Sequence, residues 1–200
     1  MLICKLKIVQ RKNHKKAKIN PLQKYALCCI FIRMNLCLGG ECVMSIPAVV
    51  VCRKANLDDV EPLFVMIDDY AKRGIMLPRS REVLQRQINE FVVAEVDGKV
   101  VGCGSLCQLG DDLVEIRSLG IMEGNKGRGL GSMIVNELTE EARRRGLLKI
   151  MALTYEVSFF LKNNFAVVDK EIFPEKVWTD CVFCPKQHAC DEIAVYKVLN

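Results

Sequence analysis

Apolar positions recur along residues 48–199 with two distinct periods, and these outline the elements. Ala48–Cys52 is an unbroken apolar run rich in β-branched residues and predicts a buried strand. Val60, Leu63, Phe64, Ile67 and Ala71 then repeat every three to four positions, which predicts one apolar helix face. Asn56 or Asp58 can cap that helix, and Asp58 and Glu61 are spaced as a capping box. Pro62 falls in the first turn, where backbone N–H groups have no intrahelical partner. Met76–Ser80 reads as a loop, with Ser80 capping a second helix to about Asn89. Phe91–Val96 and Val100–Leu106, turning at Asp97-Gly98, predict a hairpin. Leu113–Met122 predicts another strand, followed by a glycine-rich loop and a helix from about Leu130 to Arg145 that stops at Gly146. Leu148–Thr154 reads as a strand, Val157–Asn163 as a short helix and Ile193–Leu199 as a last strand. The order β-α-α-β-β-β-α-β-α-β describes one mixed α/β domain without internal repeats.

Charge changes the picture at the N-terminus. The 200 residues carry a net charge of +5, which invites a nucleic-acid partner, but its distribution does not. Residues 1–43 hold nine Lys/Arg against the single acid Glu41, whereas residues 44–200 hold 20 Lys/Arg against 23 Asp/Glu. The body is mildly acidic, and all the excess basic charge sits in the tail. Residues 1–43 show no period that continues into the body. Met44 stands directly before Ser45-Ile46-Pro47 and the first strand, and Gly39-Gly40-Glu41 would be encoded by a purine-rich stretch suited to a bacterial ribosome-binding site. We therefore expect translation to start at Met44, with residues 1–43 a start-site error or a disordered tail and residues 44–200 the functional domain. The alternative is a basic arm that binds nucleic acid or anionic lipid.

Half of the residues are hydrophobic and 26% are charged, which excludes a disordered or collagen-like chain. The 11 cysteines are odd in number and mostly unclustered, against a secreted disulfide framework and for a reducing compartment. The longest apolar run of the tail, Tyr25–Ile32, stops at Arg33, short of the roughly 18–20 residues that span a bilayer. It also lacks the cleavage site of a signal peptide. A cytoplasmic protein with no membrane partner is the expectation.

Lys126-Gly127-Arg128-Gly129-Leu130-Gly131 lies between a predicted apolar strand and an amphipathic helix. Unpaired N–H groups and the positive end of the helix dipole meet there, so the segment suits an anion. Glycines let the backbone approach that anion, and Lys126 and Arg128 add charge. The spacing is neither that of a P-loop nor that of a dinucleotide fingerprint. An ordinary strand-to-helix turn is the alternative.

Three segments together carry a resemblance: Glu115–Ile121, Lys126–Gly131 and Phe159–Phe165. They resemble the GNAT superfamily of acyl-CoA N-acetyltransferases over about residues 46–199. The resemblance implies a single α/β domain whose central sheet is mixed and mostly antiparallel, with flanking helices. It implies acetyl-CoA as cosubstrate, its pyrophosphate on Lys126, Gly127, Arg128, Gly129, Leu130, Gly131 and Ser132. Leu119, Gly120 and Ile121 would face its pantetheine arm. Lys126 stands where the family has Gln or Arg, and Asn164 where it has Gly. Further stretches, Gly74–Glu82, Val168–Pro174 and Lys176–Pro185, resemble the short, GNAT-only N-acetylglutamate synthases. They imply acetyl transfer to the α-amine of an amino acid, glutamate first, and a place in arginine biosynthesis. The alternatives are another small amine, a protein N-terminus, or a non-catalytic acetyl-CoA-binding regulatory module.

The chemistry needs a base for the ammonium, a donor for the developing oxyanion and a departing thiolate. Glu115 matches the family's base position; the alternative is a structural pair with Arg117 on the same strand face, and the two can coexist. A backbone N–H near Ile121 is the expected oxyanion donor. The family's tyrosine acid is replaced by Phe160, and a thiol of pKa about 8.5 can leave without it. Arg79 matches the arginine that holds substrate in the synthases, with Arg117 and Lys176 as further candidates for a carboxylate. A solvated loop arginine is the alternative for Arg79. Cys181, Cys184, His188 and Cys190, in a cysteine-rich insert at about residues 176–191, could supply zinc ligands, a redox pair or simply packed thiols. Trp178 reads as a packing anchor. Acetyl-CoA and a small amino acid are the expected partners, with a homo-oligomer left open.

Overall fold

The computed structural model describes residues 48–173, 181–184, 186 and 189–199. Residues 1–43, Lys176, Trp178 and His188, which the sequence singled out, lie outside the described residues. In chain order the elements are β1 (Val50–Lys54), α1 (Val60–Lys72), α2 (Arg81–Gln87), β2 (Phe91–Val96), β3 (Lys99–Gln108) and β4 (Leu113–Ile121). Then follow α3 (Leu130–Arg144), β5 (Lys149–Thr154), α4 (Val157–Lys162), β6 (Ala166–Val168) and β7 (Ile193–Val198). The strands form one seven-stranded sheet in the order β1-β2-β3-β4-β5-β7-β6. Its pairs are antiparallel except for β4 with β5.

The predicted elements are all present, with three differences of detail. A 3₁₀ turn, Leu57–Asp59, precedes α1, and the capping box is Asn56 with Asp59 rather than Asp58 with Glu61. Glu61 instead pairs with Arg81, whose guanidinium covers the Phe64 ring at 3.6 Å. The fully buried stripe of α1 is Val60, Leu63, Met66, Ile67 and Tyr70, with Phe64 half-buried against the same core and Ala71 half-buried. β6 was not expected, because three residues are too few to show an alternation.

Each face of the sheet has its own core. On one face Ile134, Val135, Leu138 and Ala142 of α3 pack on Val92, Leu106, Val114 and Ile116. Gly102 and Gly104 of β3 allow this approach, since a Cβ at Gly104 would lie 2.9 Å from Ile134 and 3.0 Å from Leu138. On the other face Leu63, Ile67 and Leu84 of α1 and α2 pack on Phe91, Val93 and Cys103.

Two irregularities in β4 shape the centre of the molecule. Its pairing with β5 runs only from Leu113 opposite Lys149 to Glu115 opposite Met151, so the register ends well before either strand does. A wedge opens there, with one edge of β4 on its flank. Beside the wedge, Cys103 pairs with Gly120 but Ser105 pairs with Arg117, so β4 holds one residue more than β3 across this span. Ser118 sits in this bulge with a left-handed φ of 49°.

Candidate active site

The loop from β4 to α3 turns on three glycines, Gly124, Gly127 and Gly129, with φ of 80°, 77° and 79°. A side chain at these angles would be strained, which is the physical reason for glycine here. Gly129 caps α3 without any side-chain cap, so the 15-residue helix offers its first N–H groups and dipole to this loop. Lys126 holds Glu123 at 2.6 Å, and that carboxylate raises the Lys126 ammonium above its ordinary value. The side chain therefore stays cationic at the loop. Arg128 donates to Asn125 at 2.8 Å, while its Nε is buried with no hydrogen-bond partner. A buried, unsatisfied guanidinium nitrogen at a helix N-terminus fits an anion. Leu130 is core and contributes only its backbone. Gly131 has a packing reason too: a Cβ there would meet Phe159 at 3.0 Å. Ser132 lies half-buried in the first turn of α3.

Between the loop and the wedge lies the end of β4. The Met122 N–H bonds the Val101 carbonyl at 2.8 Å, so the backbone groups of Leu119 and Ile121 face the opposite edge, toward the wedge. Ile121 is already engaged there: its N–H donates to the Tyr70 hydroxyl at 3.2 Å, and that hydroxyl donates to its carbonyl at 2.7 Å. Tyr70 and Met76 lie over Gly120, where a Cβ would meet them at 3.0 and 3.1 Å. With the Ile121 N–H engaged by Tyr70, the Leu119 N–H is the neighbouring backbone donor on that edge. Nothing in the sequence signals Tyr70, because its partner lies 51 positions away.

On the α1/α2 face of the sheet, Glu115 stands opposite Cys107 and Arg117 opposite Ser105. Glu115 is 3% exposed, and its carboxylate receives the Arg117 Nε–H at 2.5 Å. The pairing offered as the alternative for Glu115 is thus present. Ser105 donates to the Arg117 carbonyl at 3.2 Å. A cavity of about 230 Å³ opens here, lined among others by Arg79, Gln87, Glu90, Ser105, Arg117 and Arg145. Arg79 reaches in from the loop before α2, with Nε donating to Ser118 at 3.1 Å and Nη1 to Gln87 at 3.3 Å. Arg79 is half-buried, with these two contacts at the wall of the cavity. Arg145 enters from the end of α3, held by Glu141 at 2.9 Å and Glu90 at 2.5 Å. In the sequence it is one of three consecutive arginines, and only the geometry of the helix end shows which of them reaches the cavity.

Phe160, in place of a tyrosine acid, is buried with edge-on contacts to Phe159 and Phe165. Tyr155 hydrogen-bonds Asp191 at 2.8 Å and receives Lys186 at 2.9 Å. Lys186 draws its phenol down, but burial and Asp191 outweigh this and leave it above the ordinary value. Cys181, Cys184 and Cys190 are half-buried. Among the described residues no group of three or more His, Cys, Asp or Glu is placed to hold a metal ion. The zinc expectation therefore gains no ligand set from them, and His188 lies outside the described residues. Among the described residues no helix is long and apolar enough to cross a membrane.

Comparison with known proteins fits this geometry. Residues 61–165 match the Acetyltransferase (GNAT) family. This chain belongs to the GNAT family. As a GNAT protein it is an acetyl-CoA-dependent N-acetyltransferase. It is 38% identical to the uncharacterized N-acetyltransferase CT2212 of Chlorobaculum tepidum, over 76% of this chain and 99% of that protein. It is 36% identical to an amino-acid acetyltransferase of Mycobacterium tuberculosis, over 62% of this chain and 76% of that protein. The structure of Rv2747 from Mycobacterium tuberculosis in complex with CoA and NLQ superposes with a TM-score of 0.66 at 31% identity, covering 75% of this chain and 99% of that one. N-acetylglutamate synthase from Neisseria gonorrhoeae, complexed with coenzyme A and N-acetyl-glutamate, gives 0.67 at 25% identity, over 76% of this GNAT chain and 35% of that one.

Proposed function

We propose that this GNAT enzyme acetylates the α-amine of a carboxylate-bearing amino acid, L-glutamate first among them, as a cytoplasmic step of arginine biosynthesis. The observation that carries the reading is the arginine-lined cavity beside a buried carboxylate. Arg79, Arg117 and Arg145 converge on a space of about 230 Å³, large enough for one amino acid, next to Glu115. Guanidinium groups grip carboxylates bidentately, and a second side-chain carboxylate adds a second such contact. The amino-acid acetyltransferases and N-acetylglutamate synthases among the similar proteins support the same substrate class.

In this mechanism acetyl-CoA lies along the open edge of β4, with its pyrophosphate on the N–H groups that open α3 and on Lys126 and Arg128. The acetyl oxygen takes the Leu119 N–H, a fixed dipole worth roughly 3–4 kcal/mol to the transition state. Glu115 accepts the ammonium proton through water, and the amine attacks the thioester carbon. A C–N bond forms, the C–S bond breaks, the nitrogen gives up its second proton to water as the neutral amide forms, and CoA departs as thiolate. That thiolate, with a conjugate thiol of pKa about 8.5, leaves without a dedicated acid, consistent with Phe160. Glu115→Gln tests the assignment: turnover is expected to fall by about 10²-fold or more, while calorimetry still shows CoA binding. Unchanged turnover would remove Glu115 as the base.

A further inference from the structure

Ser118 is an unusual residue at the place where it stands. Its φ of 49° is one that few non-glycine side chains adopt, and it occupies the extra position of the β4 bulge. Glycine or asparagine would hold that backbone with less strain, so the bulge itself does not call for a hydroxyl. Strain of this kind persists only where the surroundings over-determine it. Here they do so at both ends of the residue. The Ser118 carbonyl receives the buried Cys103 thiol at 3.3 Å, and its Oγ receives the Arg79 Nε–H at 3.1 Å. Burial pushes the Cys103 thiol up to about 12, so it remains a donor throughout the neutral range.

The contact to Arg79 joins two parts of the site that chemistry must keep in register. Arg79 spans from Ser118 on β4 to Gln87 on α2 at the wall of the cavity. The residue after Ser118 is Leu119, whose N–H faces the wedge. We propose that Ser118 is a positioning residue that ties the acceptor-gripping Arg79 to the strand that presents the acetyl group. The acceptor carboxylate and the acetyl oxygen are then referred to neighbouring residues, Ser118 and Leu119. The amine is thereby held at attacking distance, a placement whose loss by an ångström costs large factors in rate. This inference rests on the acceptor reading given above.

A double-mutant cycle tests it in the full chain with Ser118→Gly, Arg79→Gln and the pair. Glycine relieves the left-handed backbone, so this variant folds, and a melting curve verifies that it does. The wild type is first assayed on individual amino acids and amines to find its best acceptor. Ser118→Gly is expected to raise KM for that acceptor or lower kcat by about tenfold, with the CoA dissociation constant unchanged. The double variant is expected to be no worse than Arg79→Gln alone, because both changes remove one contact. Ser118→Asn, which keeps an oxygen acceptor and tolerates the backbone, is expected to restore part of the loss. With a carboxylate-bearing acceptor, additive effects or unaltered kinetics in Ser118→Gly would overturn the role of Ser118 alone. An acceptor without a carboxylate, or no acceptor at all, would overturn the acceptor reading and the role of Arg79 with it.

Discussion

Glu141 ties the cavity to the stability of the fold, and its replacement by glutamine gives a calculable result. One carboxylate oxygen receives Lys54 at 2.7 Å and Arg145 at 2.9 Å, and the other receives Arg144 at 2.8 Å. Burial pushes the carboxyl up, but the hydrogen bonds from Lys54, Arg145 and Arg144 outweigh it and hold it at about 2, against an ordinary 4.5. At about 1.36 kcal/mol per pH unit this difference corresponds to roughly 3.4 kcal/mol of stability. Lys54 and Arg144 are partly exposed, and solvent screening reduces the expected loss in Glu141→Gln to about 2 kcal/mol at pH 7. The sign follows from linkage: a depressed carboxyl stabilises the fold above its unfolded value and loses that contribution as pH falls toward the folded one. Urea denaturation of both proteins between pH 7 and pH 3 reads the effect. The gap between them is expected to shrink by more than half by about pH 3, as the wild-type carboxylate loses its advantage. A loss below about 0.5 kcal/mol at pH 7, or a gap independent of pH, would refute the reasoning. Arg145 lines the cavity, so the same variant should also weaken acceptor binding.

Two further substitutions probe the frame of the site. Gly104→Ala places a methyl 2.9 Å from Ile134 and 3.0 Å from Leu138, and should lower stability by about 1–3 kcal/mol in thermal or urea melts; an unshifted melt would contradict the close approach of α3. Phe160→Tyr puts a hydroxyl into a packed aromatic cluster at a residue 3% exposed, costing about 1–3 kcal/mol. Turnover is expected to stay level or fall, and a several-fold rise at unchanged stability would show that the leaving thiolate does need an acid there.

The order of elements and the phosphate loop are legible in the sequence because each has a local cause. Short apolar strand runs, Ser80 as a cap, Asp97-Gly98 as a turn and glycines ahead of α3 all act over a few residues. Glu115 and Arg117 are legible as a pair through the two-residue period of a strand. What escapes local reading arises between distant segments. The extra residue of β4 appears only when Cys103 and Ser105 are matched against Gly120 and Arg117. Tyr70 closes on Ile121 across 51 positions, and Arg79 on Ser118 across 39. Arg145 reaches the cavity because of where α3 ends, and nothing in a run of three arginines distinguishes it from its neighbours.

The central claim is that the arginine-lined cavity selects an amino acid by its carboxylates for acetylation on the α-nitrogen. The most direct test is a single competition reaction: acetyl-CoA with equal concentrations of all the common amino acids and a polyamine, its acetylated products identified by mass spectrometry. The account predicts N-acetylglutamate as the dominant product, formed with stoichiometric release of CoA. Dominant acetylation of the polyamine, or of amino acids without regard to a side-chain carboxylate, would contradict it.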